Sequence, residues 1–146
     1  MRVVVQRCSQ AKVIVNDKCI SQIKKGLMLL ICLERGDNES NIQKAANKIS
    51  TMRVFECPKS GKMDLSIIDI AAEVLAVSQF TLSWRGNKGN RPSFDQSLSG
   101  DKALNLFNYF CQLLSDKGLS VHKGSFGQNM QVQLYNEGPV TFSLDF

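Results

Sequence analysis

The sequence feature that most constrains the fold is a continuous apolar run, GLMLLICLE, from Gly26 to Glu34. Such a run predicts a strand that is covered on both faces, because a strand with one face in water alternates apolar and polar residues. The run is too short to cross a membrane, which takes about 20 apolar residues in a helix. The chain must therefore supply other elements that cover a central strand.

Two segments with helical periodicity can supply this cover. The first spans residues 40–52, is preceded by N-cap candidates at 37–40, and has its apolar residues on one stripe. That stripe consists of Ile42, Ala45, Ala46, Ile49 and Met52. The second spans residues 102–117 and is followed by Gly118 at the position of a C-terminal cap. Its apolar face consists of Leu106, Phe107, Phe110, Leu113 and Leu114.

The remaining apolar segments favour strands. They are Val3–Val5, Val13–Val15, CISQI (19–23), EVLAVSQFTL (73–82), LSVHK (119–123), NMQVQLY (129–135) and PVTFSLDF (139–146). Strands and helices do not alternate regularly, and no linker or repeat divides the chain. The pattern predicts a single α+β domain, residues 1–146, in which two helices cover one face of a largely antiparallel or mixed sheet.

Composition excludes several protein classes. The 146 residues are 43% hydrophobic and 21% charged, which is ordinary for one globular domain and argues against disorder. The N-terminal residues lack the apolar core of a signal peptide, so we expect a cytoplasmic protein. The five cysteines show no CxxC spacing, which predicts reduced, mostly buried thiols rather than a metal site or disulfides. The net charge of +5 slightly favours a polyanionic partner.

The common catalytic motifs are absent. The chain contains no G-x-S-x-G, H-E-x-x-H or P-loop string. His122 is the only histidine, and its strand-like surroundings predict a structural or surface residue. A hydrolase with this sequence is therefore not expected to use a Ser-His-Asp relay.

A basic loop, WRGNKGNR, is a candidate nucleic-acid contact. Arg85, Lys88 and Arg91 lie beside Trp84, and cations next to a flat ring suit a phosphate and a base. A solvated loop without a partner is the alternative. The strings GNKG and GSFG match a short nucleic-acid-clamping pattern, but glycine turns explain them better.

Two further segments are open to two interpretations. SQFTL places Ser78, Gln79 and Thr81 where an apolar strand ends, and strand ends that lead into loops often carry sites. NEGP, residues 136–139, lies between two alternating runs, so a hairpin turn is the default interpretation. Proline cannot donate to a sheet ladder, which confines Pro139 to an edge, a strand start or a bend.

Read together, these motifs resemble the D-aminoacyl-tRNA deacylases, also called D-Tyr-tRNA deacylases. The resemblance covers essentially the whole chain. It is carried by MRVVVQR, LERGD, RVFE, VSQFTL, KGNRPSF, FGQNMQVQL and NEGPVTFSLDF, in this order. It implies a homodimer with a small barrel-like fold that hydrolyses the ester between a D-amino acid, or glycine, and the 3′ end of tRNA. It implies no metal or organic cofactor and no membrane or DNA partner.

The resemblance also implies roles for individual residues. The segment Ser78, Gln79, Phe80 and Thr81 would hold the aminoacyl-adenosine. Gly138 and Pro139 would form a cis element that enters the pocket of the partner subunit. Other implied roles are support of that element by Arg7, substrate contacts by Phe126 and Met130, and tRNA contacts by Arg85, Lys88 and Arg91.

Departures from the family pattern leave pocket-edge contacts and tRNA preference open. The family usually has Asp before the Gly-Pro pair, where this chain has Glu137. After FG, this chain has Gln128 and Asn129, whereas the family usually has a small residue followed by an acidic one. The segment SWRGN before KG also differs from the usual sequence.

The expected chemistry needs a placed water and donors for a developing oxyanion. The backbone N–H of Phe80 and the hydroxyl of Thr81 are candidates, with help from the substrate's own 2′-hydroxyl. Thr81 as a covalent nucleophile is an alternative that lacks a visible base. Two rivals from other classes remain: a non-catalytic RNA-binding module that uses the Arg85–Arg91 loop, and a purely structural dimer in which NEGP is a hairpin turn.

Overall fold

The computed structural model describes residues 1–86 and 90–146, which form one mixed sheet, a two-stranded ribbon and two α-helices. The helices are α1 (Glu39–Thr51) and α2 (Gly100–Ser115), and a short 3-10 helix spans Phe80–Ser83. The strands are β1 (Arg2–Val15), β2 (Lys18–Ile23), β3 (Gly26–Cys32), β4 (Phe55–Glu56), β5 (Met63–Leu65), β6 (Glu73–Ser78), β7 (Ser120–Lys123) and β8 (Gln131–Asp145).

The long strand β1 organises the sheet. It pairs antiparallel with β3 through residues 2–8, with β2 through residues 11–15 and with β8 along nearly its whole length. The strands β3, β6 and β7 then run parallel to one another, so the sheet is mixed. Because β2 also approaches β6 and β7, the sheet curls into a nearly closed, barrel-like form. The α+β prediction is confirmed.

The central strand β3 is covered on both faces, as its apolar run predicts. Leu27, Leu29 and Ile31 are buried in the cluster that both helices cover. Met28 points the other way, into a second cluster formed by β1, β2, β6 and the first half of β8. Alternate side chains of one strand thus belong to two separate apolar clusters.

Both predicted helices exist, with small shifts at their ends. Asn38 caps α1 because its Oδ1 accepts the Ser40 N–H at 3.0 Å, and Asn41 Oδ1 accepts the Asn38 N–H at 2.7 Å. Helix α2 starts two residues earlier than predicted. After it, Gly118 adopts a φ of +84°, a conformation that suits glycine at a helix end.

The structure merges two predicted strands into one and shortens another. The segments Val3–Val5 and Val13–Val15 are parts of one strand, β1. Strand β6 ends at Ser78 because β3, its neighbour, leaves the sheet at Cys32, and the chain turns into the 3-10 helix.

The hairpin interpretation of NEGP is wrong. Both halves of β8 run antiparallel to β1, in the same direction, and the NEGP residues form an irregularity within one strand. A bulge can hold extra residues without reversing the chain.

The five cysteines are free, and Cys8, Cys32 and Cys111 are buried. Burial raises the pKa of the Cys8 and Cys32 thiols to about 11 and that of Cys111 to about 12, so these groups stay protonated at neutral pH. In the described parts of the chain, no helix is both long and apolar enough to cross a bilayer.

Candidate active site

A cleft of about 480 Å³ opens where β3 and β6 end. Four parts of the chain surround it: the end of β3 with the loop after it, the start of the 3-10 helix, the loop that enters α2, and the loop after β7. The lining residues are Ile31, Leu33, Arg35, Ser78, Gln79, Phe80, Phe94, Asp95, Ser97, Leu98, Ser99, Gly100, Ala103, Phe126 and Gly127. Polar strand ends and aromatic side chains therefore share one concave surface.

The start of the 3-10 helix is fixed by the neighbouring strand β3. Gln79 N–H donates to Ile31 O at 2.7 Å, which extends the β3–β6 ladder by one bond. The buried Cys32 thiol contacts Phe80 O at 3.5 Å, and its raised pKa keeps it a donor. The backbone at the base of the cleft is thus held at two consecutive residues.

Arg2 fixes the other end of the 3-10 helix. Its Nη1 donates to Leu82 O at 3.1 Å, while its Nε donates to Asp145 Oδ1 at 2.6 Å. The hydrogen bond with Asp145 raises the pKa of Arg2 above its usual value, so the guanidinium keeps its charge. One side chain therefore joins β1, the end of β8 and the 3-10 helix.

The groups presented at this turn are backbone N–H groups, an aromatic ring and a hydroxyl. The first 3-10 bond is donated by Leu82 N–H to Gln79 O, so the N–H groups of Phe80 and Thr81 precede it. The Phe80 ring is 55% exposed and meets Phe94 edge-on at 5.1 Å. Gln79 Nε2 donates to Thr81 Oγ1 at 2.5 Å, and an amide nitrogen cannot act as a base for that hydroxyl.

The chain's one histidine lies away from this cleft. His122 Nε2 is 3.3 Å from Glu73 Oε1 and 3.1 Å from Ser120 Oγ. A serine relay needs the serine and the carboxylate on different ring nitrogens, whereas both contacts here use the same one. Glu73 begins β6, and Ser78 at the cleft ends it, so no imidazole is placed to activate Thr81.

The Gly-Pro segment lies outside the cleft of its own chain. The Gly138–Pro139 bond is cis, and both residues are exposed. Ile31 at the cleft pairs with Val3, which pairs with Leu144 of β8, and Gly138 precedes Leu144 by six residues. The segment lies opposite Arg7, however, which is four residues from Val3, so at about 3.3 Å per residue it is roughly 13 Å away along the strand.

Comparisons with known proteins decide the family. A profile described as D-Tyr-tRNA(Tyr) deacylase matches residues 4–145. The chain belongs to this family. It is 47% identical to the D-aminoacyl-tRNA deacylase of Thermotoga petrophila over 99% of this chain and 97% of that protein. It is 45% identical to the enzyme of the same name from Lactobacillus gasseri, with 99% of each chain covered.

Two solved structures share the fold. One, described as c-Myc DNA Unwinding Element Binding Protein, superposes with a TM-score of 0.93 at 35% identity and covers 100% of this chain and 99% of its own. The other, a probable eukaryotic D-amino acid tRNA deacylase, gives a TM-score of 0.84 at 21% identity over 99% and 98%. The second likeness shows the fold alone. Both likenesses support the barrel-like sheet with two helices as the fold of this chain.

The structure brings some of the predicted site residues to the cleft and leaves others elsewhere. Phe126 lines it and packs against Phe107 at 5.8 Å. Met130 lies instead against the second apolar cluster, where its sulfur accepts the Ser125 N–H at 3.2 Å. Thr81 is exposed beside the cleft rather than in its lining.

Arg7 contacts the Gly-Pro segment directly. Its Nε donates to Glu137 O at 3.0 Å, and its Nη1 donates to Val54 O at 2.6 Å. The carbonyl before Gly138 is thereby tied to β1 and to the residues that follow α1. This is the contact that the deacylase resemblance implies for Arg7, although its role in the reaction stays a prediction.

The basic loop is described only in part. Arg85 Nη2 donates to both carboxylate oxygens of Glu34, at 2.7 and 3.0 Å. Burial raises the pKa of Glu34 above its usual range. Arg91 is exposed, and Lys88 lies outside the described residues. Part of the Arg85 guanidinium is therefore occupied by its own chain.

Sequence reasoning missed the residues that close the cleft from the α2 side. Leu98 N–H donates to Leu33 O at 2.9 Å, and Arg35 N–H donates to Gln96 O at 2.8 Å. These bonds bring the Asp95 carboxylate and the Phe94 ring to the opening. The string RPSF marked this loop as part of the family pattern, but nothing local indicated which strand end it would meet.

Proposed function

We propose that this chain hydrolyses the ester that joins a D-amino acid to the 3′ end of tRNA, accepts glycine, and spares L-aminoacyl-tRNA. The observation that carries the proposal is the cleft at the end of β6, where the N–H groups of Phe80 and Thr81 precede the first bond of the 3-10 helix and lie beside an exposed aromatic residue. Membership of the D-Tyr-tRNA(Tyr) deacylase family supplies the substrate class.

The turn suits hydrolysis of an ester that is already activated. The carbonyl oxygen gains charge when water attacks, and donors fixed before the reaction stabilise that charge most. The N–H of Phe80 is such a donor, because Gln79 and Phe80 are anchored to β3 on either side of it. Thr81 adds its hydroxyl proton, since Gln79 occupies an acceptor position of the same oxygen.

A general base from the protein is not required in this scheme. The terminal ribose of tRNA carries a 2′-hydroxyl next to the ester, and this group can position or relay a proton for the attacking water. His122 contacts Glu73, at the end of β6 opposite the cleft, and this position supports a reaction without a base from the protein. It also favours a non-covalent role for Thr81 over a nucleophilic one.

Selection of the D isomer requires shape rather than polarity. Inverting Cα exchanges the hydrogen and the side chain, so a rigid wall beside the hydrogen position excludes the mirror isomer by overlap. Gly138 and Pro139 suit such a wall because they expose backbone, and proline fixes φ near −65°. Glycine has no side chain to collide with the wall and should be accepted.

We propose that the wall comes from the partner subunit of a homodimer. Gly138 and Pro139 are exposed and lie roughly 13 Å from the cleft of their own chain, measured along the strand direction. A two-fold pair of chains would let each segment complete the other's cleft.

The tRNA itself would be held by charge around the cleft. Arg91 and Arg85, whose guanidinium also binds Glu34, are suited to phosphates. We expect the protein to act in the cytoplasm, where aminoacyl-tRNA is used.

One assay separates this proposal from its rivals. The purified protein is incubated with D-Tyr-tRNA, L-Tyr-tRNA and Gly-tRNA, and ester loss is followed over time. We expect cleavage of the D and glycyl substrates and survival of the L substrate. Equal cleavage of D- and L-Tyr-tRNA would refute the selective function. Binding of nucleic acid at low salt without ester loss would instead support a binding module, the activity named for the c-Myc element protein.

A further inference from the structure

The Gly-Pro segment sits where the β1–β8 ladder is interrupted. Gln6 pairs with Thr141, and the next pair toward the C-terminus of β1 is Cys8 with Asn136. One β1 residue, Arg7, therefore lies opposite the four residues 137–140. Regular ladder hydrogen bonds cannot fix a stretch in which one residue faces four, so other groups must determine where these four residues lie.

The Gln6 side chain bridges this interruption. It is only 8% exposed, and its Nε2 donates to Arg7 O at 2.8 Å, to Asn136 Oδ1 at 2.5 Å and to Val140 O at 3.2 Å. Its Oε1 accepts the hydroxyl of Thr141. Asn136 comes before the Gly-Pro pair, and Val140 and Thr141 come after it. A single buried amide thus fixes both ends of the segment.

Gln6 and Arg7 bind different parts of the segment. Arg7 holds the middle through Glu137 O, whereas Gln6 holds the two ends. The amide suits this position because it donates and accepts within one group. A carboxylate of the same shape would lose the donors, and an apolar side chain would leave buried acceptors without partners.

We infer that Gln6 is a positioning residue for chiral selection: it sets the place of Gly138 and Pro139 and thereby the closeness of the wall to the substrate. This inference rests on the proposed function and deepens it. Gln6 does not touch the cleft of its own chain, so it acts only through the segment that it holds.

The test compares three variants with the wild type. Gln6→Met keeps the length of the side chain and removes its polar atoms. Thr141→Val removes one partner at an exposed position and preserves shape, which guards against a Gln6 variant that fails to fold. Val13→Ala is the control, because it opens a cavity at a fully buried position of the same strand, away from the interruption.

The readout is the ratio of the rates for D-Tyr-tRNA and L-Tyr-tRNA, with the thermal midpoint measured beside it. A misplacement of about 1 Å can change a rate by up to about a hundredfold. We expect the ratio to fall at least about tenfold in Gln6→Met and about threefold in Thr141→Val, through faster cleavage of the L substrate. The Val13→Ala variant should melt earlier with an unchanged ratio.

The outcomes separate the inference from the function on which it rests. A wild type that does not prefer the D substrate would defeat the proposed function and the inference with it. A selective wild type and unchanged ratios in both Gln6→Met and Thr141→Val would leave the function standing and defeat the inference, because Gln6 would then serve stability alone. If Gln6→Met does not fold, the Thr141→Val ratio decides the matter.

Discussion

Two regions of this molecule invite comparison: the turn at the end of β6 and the Gly-Pro segment of β8. The first presents an aromatic ring, a hydroxyl and the N–H groups that precede the first bond of the 3-10 helix, and its backbone is bonded to the adjacent strand. The second presents exposed glycine and proline and is held by the side chains of Gln6 and Arg7. One region offers functional groups, and the other offers shape.

The difference indicates how reaction and selection can be separated in so small a protein. Groups that stabilise charge must be placed within fractions of an ångström, and a turn that continues a sheet ladder provides that precision. A steric wall needs stiffness and no reactive atoms. Because the two regions are roughly 13 Å apart in the strand direction of one chain, we propose that a second chain joins them without altering either.

The largest effect is expected from removal of the N–H at Phe80. A Phe80→Pro variant lacks this donor, and proline fits the first position of a helix. Gln79 has φ −144° and ψ 78°, outside the helical region that a following proline disfavours. We expect the rate for D-Tyr-tRNA to fall about 10²–10³-fold, the usual effect of one oxyanion donor.

A Phe80→Leu variant is the matched control for this prediction, since it keeps the N–H and loses the ring. Its rate should stay within about tenfold of the wild type, with substrate affinity carrying the loss. Equal defects in the two variants would show that the ring matters and that the N–H does not.

A smaller effect, on the free energy of unfolding, is expected when the pH rises and the buried thiols next to each region can ionise. Cys32 contacts the turn, and Cys8 pairs with Asn136 before the Gly-Pro pair. Their pKa is about 11 in the folded state, against an ordinary 9.0. The unfolded thiols therefore ionise first, and the free energy of unfolding should fall as the pH rises from 9 to about 11.

Denaturant titrations under reducing conditions at pH 8, 9.5 and 10.5 would measure this slope. Cys8→Ala and Cys32→Ala should each flatten it relative to the wild type, whatever their own effect on stability at pH 8. Identical slopes in all three proteins would contradict burial of these thiols as the cause.

The smallest effect is expected for Thr81→Ala. Its hydroxyl assists the N–H of Phe80 in this account and forms no covalent bond, so the rate should fall less than about tenfold. Single-turnover kinetics with D-Tyr-tRNA would measure it, with Thr81→Ser as the variant that keeps the hydroxyl. An inactive, well-folded Thr81→Ala protein would establish the nucleophile instead.

The sequence predicted those features that depend on local patterns. The apolar run of β3 and the stripe at Ile42 and Ile49 specified buried faces, and both helices were found within two residues of their starts. The strand predicted over residues 73–82 extended four residues too far, although its apolar run gives way to polar residues at Ser78, where β6 ends. These signals work because burial repeats with the period of the element.

Such local patterns do not predict which distant strands pair with each other. NEGP has the composition of a hairpin turn, and only the competing ladder with β1 forces it into one continuous strand. The hydrogen bonds from Gln6 to Asn136 and Val140 join residues 130 and 134 positions apart, so no local pattern indicates them. The closing of the cleft by Leu98 and Leu33 depends in the same way on how the loops meet.

We propose that the turn of one chain and the Gly-Pro segment of another form a single site. Mixed dimers test it most directly. One chain carries Phe80→Pro, and the other carries Gly138→Ala with Pro139→Ala. Different affinity tags allow the mixed species to be purified. Alone, the second variant should have lost its rejection of L-Tyr-tRNA.

In the mixed dimer, the only working turn belongs to the second chain, and the intact Gly-Pro segment belongs to the first. Cleavage by the mixed dimer should therefore be selective for D-Tyr-tRNA, with L-Tyr-tRNA spared as in the wild type. Cleavage of both isomers, as by the Gly-Pro variant alone, would show that each chain selects for itself and would contradict the account. Failure of the tagged chains to purify together would contradict it as well.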